Sequence, residues 1–273
     1  MLLQRTLTAL LLAPVAILVI LLPPDWTWLF GLVVATVFLA GLWEWTRLSG
    51  LRNRRVRAAM LGVVLALFGV LWWVRDSLLW PALLVAGVAW WALACLWLRH
   101  FAFAAAPTTE NRNLKLAAGA LVAFPAFVGL LTLHGGVHGQ WWTLLILLVV
   151  WAADIGAYFS GRFLGKRKLA PNISPGKTWA GVYGALAAGA LIAVLGGWLL
   201  DVQGFGLVGL AVLAVLTVAA SIVGDLVESL MKRHAQVKDS GRMFPGHGGL
   251  LDRMDSVFAA VPVFALGKLL LGL

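Results

Sequence analysis

The chain has 273 residues, 62% of them hydrophobic and 12% charged, and a formal net charge of +10. A mean hydropathy of +0.95 excludes an ordinary soluble domain, because one core of this size cannot hide so much apolar surface. What remains is a single all-α, polytopic membrane domain covering residues 1–273, whose one cysteine, Cys95, excludes an intramolecular disulfide.

Nine apolar runs long enough to cross a bilayer, or nearly so, follow in chain order: 7–22, 26–45, 58–74, 78–98, 116–133, 141–161, 180–200, 205–230 and 250–271. The first, preceded by Arg5, resembles a signal peptide, but residues 21–25 (LLPPD) offer no small-x-small cleavage pattern, so it is expected to remain as a span. Assigned to alternate sides, the basic residues divide 18 to 2. One side takes Arg5, the arginines from Arg47 to Arg57, Arg99, Arg112, Lys115, the group from Arg162 to Lys177, and Lys232, Arg233, Lys238 and Arg242. The other takes Arg75 and Lys268, while Arg253 lies at a helix entrance. That is the positive-inside pattern for nine spans with a cytoplasmic N-terminus, so the positive charge is a topology signal and no nucleic-acid partner is expected. The Arg47–Arg57 loop is expected to face anionic lipid. Trp26, Trp28, Trp43, Trp45, Trp72, Trp73, Trp80, Trp141 and Trp142 fall near span ends, where interface anchoring accounts for them. Residues 100–113, with their Pro, Thr and Asn content, read as a connector.

Chemistry concentrates after residue 115; the part before it, apart from Glu44 and its Arg-rich loop, reads as an N-terminal helical scaffold. Asp154 lies inside an apolar run, where an aspartate costs about 2.5–3.5 kcal/mol. It either makes a hydrogen bond between helices or faces a polar cavity. Further on, Gly176-Lys177-Thr178 invites a P-loop reading, but the glycine required five positions earlier is Pro171. What survives is a cationic loop with Ser174, Lys177 and Thr178 at the mouth of a helix. Taken alone it reads as topology-setting charge, although amides and a lysine there also suit an anionic phosphate.

The densest charge lies between Gly224 and Ser256, where five of the eleven acids fall among Lys232, Arg233, Lys238, Arg242 and Arg253. If the run from 205 continues as helix to about Arg233, then Asp225, Ser229 and Lys232 share a face at i, i+4 and i+7. Asp252 and Asp255 share another at i and i+3, and the intervening Pro245-Gly246-His247-Gly248-Gly249 can bring backbone close to a ligand. Two helical faces could thus offer three carboxylates to one cation. Mg²⁺ prefers such oxygens and keeps waters or phosphate oxygens, whereas no Cys or His spacing supports zinc. His247 reads as a hydrogen-bond donor or phosphate contact. Glu228, Lys238 and Arg242 read as solvated charge.

At this segment the chain resembles the phosphatidate cytidylyltransferases, the CDP-diacylglycerol synthases of bacteria. Their signature of Ser, Lys-Arg, Lys-Asp, His-Gly-Gly and Asp-Arg-x-Asp reads here Ser229, Lys232-Arg233, Lys238-Asp239, His247-Gly248-Gly249 and Asp252-Arg253-Met254-Asp255, over 27 residues. The likeness extends through Asp154 and the Ser-Pro-x-Lys-Thr-Trp element, covering roughly the C-terminal half, and departs from the family where Ala180 replaces its usual Glu. It implies that residues 116–273 are the catalytic half of an enzyme of phospholipid biosynthesis. The reaction implied is transfer of CMP from CTP to phosphatidic acid, with Mg²⁺ and with or without a second cation. By the same likeness Asp225, Asp252 and Asp255 hold metal, Ser229 and Lys232 orient phosphate, and Ser174, Lys177, Arg233, His247, Gly248 and Gly249 contact substrate. It also implies an inner-membrane enzyme working at the cytoplasmic face among membrane lipids; homodimers are typical of the family, though no sequence feature requires one. Two rival readings differ in class. A CDP-alcohol phosphotransferase would need an Asp-Gly, Ala-Arg pattern that is not found around Asp252, and an ion- or proton-coupled transporter using Asp154, Asp225 and Asp255 would not need the His-Gly-Gly loop.

Overall fold

The computed structural model describes residues 14–241, 243 and 248–273. Among them are eight helices long and apolar enough to cross a membrane. We label these α1 (Thr27–Leu48), α2 (Arg54–Trp73), α3 (Leu79–Arg99), α4 (Thr109–His134), α5 (Gly139–Leu164), α6 (Trp179–Leu199), α7 (Phe205–His234) and α8 (Leu251–Leu271). They coincide with eight of the nine apolar runs. Of the first run, residues 14–20 are helical and those before 14 lie outside the described residues.

Two boundaries differ from expectation for local reasons. The connector ends early because Thr108 caps α4, its Oγ1 accepting from the Asn111 amide at 3.2 Å, so Thr109–Asn113 form the first helical residues. The cationic loop is not irregular either. Lys168–Ala170 (β1) and Ser174–Thr178 (β2) form an antiparallel hairpin before α6, the one sheet among the described residues. Thr178 then caps α6, its Oγ1 accepting from the Gly181 amide at 3.2 Å.

Helix α4 is the axis of the bundle, with 67% of its most apolar window buried, against 17–50% for the other helices. Small residues let its neighbours approach. At Gly87 of α3, an added Cβ would meet the Pro125 ring of α4 and lie 3.1 Å from Pro262 of α8. At Gly119 of α4 a Cβ would lie 2.6 Å from Trp45 Nε1, which donates to the Lys115 carbonyl at 2.8 Å and ties α1 to α4. Helices α5 and α6 meet along a second seam, where a Cβ on Gly156 would lie 2.5 Å from the Gly184 carbonyl oxygen and 2.8 Å from the Ala188 Cβ. Side chains on the outside, such as Val63, Trp73, Leu93, Phe163 and Leu195, are apolar and exposed, as a lipid-facing surface requires.

The tryptophans expected to anchor at the interface divide by exposure. Trp26, Trp28, Trp73 and Trp141 are exposed, but Trp45, Trp80 and Trp142 are buried packing residues. The Arg-rich loop is likewise not wholly turned to lipid. Arg57 is buried, bonded to Thr46 Oγ1 at 3.0 Å and to the Trp43 carbonyl, with its guanidinium over the Trp43 ring. This intramolecular cradle offsets the cost of burying the cation.

Contacts across the bundle gather the polar connections at one end. His234 at the end of α7 lies 2.7 Å from the Phe101 carbonyl after α3, and Arg233 Nε donates to the Ile173 carbonyl of the hairpin at 3.2 Å. Ser240 beyond α7 reaches Glu44 of α1. At the opposite end Thr27 Oγ1 meets His134 Nδ1 at 2.9 Å, beneath the stacked Phe30 ring.

Candidate active site

Helix α7 runs unbroken to His234, so Asp225, Glu228, Ser229 and Lys232 stand on one face at i, i+3, i+4 and i+7. Ser229 Oγ donates to Asp225 Oδ1 at 3.4 Å. Gly224 brings the first turns of α8 against this face, since a Cβ there would lie 2.5 Å from the Asp255 carbonyl oxygen and 2.8 Å from the Ala259 Cβ. The two acidic faces expected to converge therefore do so. Lys232 joins them, with its Nζ 2.6 Å from Glu228 Oε2 and 2.6 Å from Asp252 Oδ1.

Glu228 departs from its expected role as solvated charge. It is 1% exposed and pairs with Lys232 inside the α7–α8 contact. An acid at i−4 from a lysine on a helix facing a second helix is drawn into the ion pair that the second helix's Asp252 completes. Removing one member of such a buried pair typically costs about 3–5 kcal/mol, because the other is left uncompensated.

The second oxygen of Asp252 is equally engaged. Oδ2 accepts from the Ser240 amide at 3.0 Å, from Ser240 Oγ at 2.9 Å and from the Gly249 amide at 2.9 Å. Gly248 reaches this arrangement with φ +82°, in the left-handed region where glycine carries no steric cost. Ser240 Oγ also lies 2.8 Å from Glu44 Oε2, and the same Glu44 oxygen accepts from the Leu251 amide at 2.8 Å. The glycine-rich stretch thus brings backbone close to carboxylates of the protein itself.

On the other side of Asp225 lies a cavity of about 440 Å³ between α5, α6 and α7, bordered by Asp154, Tyr158, Arg162, Lys177, Thr178 and Asp225. Lys177 of β2 is ion-paired with Asp225 at 2.6 Å. That contact and the Arg233–Ile173 bond dock the hairpin on α7. Asp154 resolves toward the cavity reading, with Asp225 and Lys177 as its electrostatic neighbours. At the rim, Arg162 donates to Tyr158 Oη at 2.6 Å.

The structure therefore brings together Asp225, Ser229, Lys232, Asp252, Asp255 and Lys177. Arg233 serves as the bridge to the hairpin, and Ser174 lies at the start of β2, next to the carbonyl that Arg233 holds. Gly248 and Gly249 shape the support of Asp252. His247 and Arg242 lie outside the described residues. Sequence reasoning assigned no site role to Glu44, Ser240 or Arg162. Glu44 carried a signal, as the only acid in α1, but nothing local could say what it would meet 196 residues later.

The polar lining sets hard oxygen donors, among them Asp154 and Asp225, beside the cations Lys177 and Arg162. Asp225 and Asp255 are electrostatic neighbours across the α7–α8 contact, and Ser221 and Ser256 border the cavity. This chemistry fits Mg²⁺ and not a thiolate- or imidazole-seeking metal. Among the described residues no three His, Cys, Asp or Glu side chains close into a cage. The three carboxylates expected to meet at one cation, Asp225, Asp252 and Asp255, are therefore not gathered at a single point, because Lys232 draws Asp252 into its ion pair. Both oxygens of Asp252 are engaged within the protein, and those of Asp225 meet Ser229 and Lys177, while Asp255 Oδ1 accepts from the Ser256 amide at 2.7 Å.

The chain is similar to proteins of known kind over nearly all of its length. The sequence model of the Cytidylyltransferase family matches residues 3–270. A phosphatidate cytidylyltransferase of Pseudomonas aeruginosa is 41% identical, the alignment covering 97% of this chain and 96% of the relative. One from Haemophilus influenzae is 38% identical over 97% of this chain and 98% of the relative, and one from Brucella suis 36% identical over 87% and 83%. With its paired acidic helix faces and a match from end to end, this chain belongs to the Cytidylyltransferase family.

Proposed function

We propose that the protein transfers the CMP group of CTP to phosphatidic acid, giving CDP-diacylglycerol and pyrophosphate. A phosphate oxygen of the lipid bonds to the α-phosphorus of CTP, and the bond from that phosphorus to the bridging oxygen of the β-phosphate breaks. A phosphate monoester is already substantially anionic near neutral pH, so its oxygen needs no strong base. The barrier is electrostatic, because an anion must approach a polyanion, and positioning and charge neutralisation dominate such transfers. The observation that carries this reading is the Lys177–Asp225 and Glu228–Lys232–Asp252 ion-pair array beside the cavity of about 440 Å³.

Asp225 and Asp255 would hold Mg²⁺, which supplies charge neutralisation at the phosphates when bound. Ser229, hydrogen-bonded to Asp225, and Lys177, ion-paired with it, stand where phosphate oxygens would compete for the same partners. Lys232 keeps Asp252 and Glu228 in place and presents positive charge to the same end of the bundle. The lipid enters sideways from the membrane and CTP from the water. In this reading the site faces the cytoplasm of a bacterial inner membrane, the N-terminus lies on the same side, and the unit is a homodimer as is usual for the family.

The test is incorporation of radiolabelled CTP into lipid by purified protein, with and without phosphatidic acid and Mg²⁺. Label should enter lipid only when both are present, and Asp225→Asn and Asp255→Asn should each lower turnover by at least 100-fold while eluting as folded protein. Absence of labelled lipid from the wild type under these conditions removes the reading; wild-type turnover by either variant removes the metal assignment.

A further inference from the structure

Glu44 comes from α1, in the half of the chain that carries none of the signature residues, yet it is 4% exposed and directed at the signature segment. Its Oε2 accepts from Ser240 Oγ and from the Leu251 amide, both at 2.8 Å. Leu251 opens α8, and the residue before it, Leu250, has no side chain able to cap the helix. The first amides of a helix need acceptors and carry partial positive charge, so a carboxylate there is doubly favourable. Glu44 thus caps α8 from another helix. Its second partner, Ser240, is itself buried and lies between the two acids: its amide donates to Asp252 Oδ2, and its one hydroxyl hydrogen is shared between Glu44 Oε2 and Asp252 Oδ2, 2.8 and 2.9 Å away. The chain of contacts runs Glu44, Ser240, Asp252, Lys232, Glu228.

Two glycines close the cradle. A Cβ on Gly241 would collide with Glu44 Oε1, and one on Gly249 would collide with both Ser240 Oγ and Glu44 Oε2. The fit is therefore built from both sides, by a buried acid and by backbone that has no side chain to hold it away.

We propose that Glu44 is a positioning residue for the transfer reaction. By fixing Ser240 and the first turn of α8, it sets where Asp252 and Asp255 stand relative to α7. It touches no substrate. The inference rests on the proposed cytidylyl transfer and adds to it a residue from the N-terminal half.

Steady-state kinetics of full-length protein test it. Misplacing catalytic groups by about an ångström costs on the order of 100-fold. Glu44→Ala should accordingly lower kcat by about 10–100-fold, with the KM for CTP changing less than threefold. Both hydrogen bonds converge on one oxygen, which a glutamine carbonyl can reproduce, so Glu44→Gln should recover to within about fivefold of wild type. Glu44→Asp, too short to span both partners, should fall between. Ser240→Ala should lower kcat as well, and the Glu44→Ala/Ser240→Ala pair should be little worse than Glu44→Ala alone, as residues acting through one another are non-additive. If Glu44→Ala does not elute as folded protein, Glu44→Gln, Glu44→Asp and Ser240→Ala carry the comparison. A kcat within threefold of wild type for Glu44→Ala, or for Glu44→Asp and Ser240→Ala where they stand in, overturns the proposal, as does full multiplication of the two single effects. Failure of the wild type to label lipid at all overturns the proposed reaction instead, so the two failures are distinguishable.

Discussion

Lys232→Met tests the central ion-pair array most directly. The ammonium lies 2.6 Å from both Glu228 Oε2 and Asp252 Oδ1. Methionine keeps the length and removes the charge. Asp252 would retain the amides of Ser240 and Gly249 as donors, with Ser240 Oγ 2.9 Å away. Glu228, which is 1% exposed, would lose the cation it is paired with. An uncompensated buried charge of this kind costs about 3–5 kcal/mol. At about 2–4 °C per kcal/mol for a chain of this order, the thermal midpoint should fall by about 6–20 °C. The check is a heating series in one detergent at one rate, read as the fraction that still elutes as a single species. The double variant Glu228→Gln/Lys232→Met removes the stranded charge together with its partner and should recover more than half of the loss. A double variant as unstable as Lys232→Met, or a single variant within about 1 kcal/mol of wild type, would refute the reasoning that Lys232 offsets Glu228.

Two further outcomes follow from helix approach and topology. Gly224→Ala should cost about 1–3 kcal/mol through overpacking and, by shifting Asp225 against Asp255, should slow turnover more than tenfold. Gly62→Ala and Gly69→Ala in α2, where a Cβ meets nothing within 4 Å, should leave both properties unchanged. For the span count, a reporter fused after Leu273 should read as extracytoplasmic while one near the N-terminus reads as cytoplasmic; a cytoplasmic signal from both contradicts nine spans.

The helices were legible because membrane burial leaves a coarse signature in the chain: apolar runs of about 20 residues separated by basic loops. The helical registers were legible too. Spacing alone put Asp225, Ser229 and Lys232 on one face, and α7 does continue far enough to keep them there. What spacing could not supply was the partner of each charge. Lys177, expected from sequence as topology-setting charge or a substrate contact, is the ion-pair partner of Asp225 because the hairpin folds back onto α7. Glu228 differs from Asp225 by one turn in sequence and by nearly complete burial in space, a difference set by where α8 crosses. Arg57 and Trp45 were misread for a related reason. Arginine in a loop and tryptophan near a span end have strong average habits, and here tertiary contacts with Trp43, Thr46 and the Lys115 carbonyl override them.

The long reach of Glu44 also bears on how the protein is made. Its partners lie 196 and 207 residues further along the chain. At a synthesis rate of about 5–20 residues per second, Ser240 leaves the ribosome about 10–40 s after Glu44. For that interval α1 carries an acid with neither of its final partners, and α8 does not yet exist to receive its cap. Glu44 sits only four residues before the end of α1, close to where water is still within reach. The cap on α8 and the link to Ser240 can form only after the last helix has been made, which ties completion of the α7–α8 site to the end of synthesis.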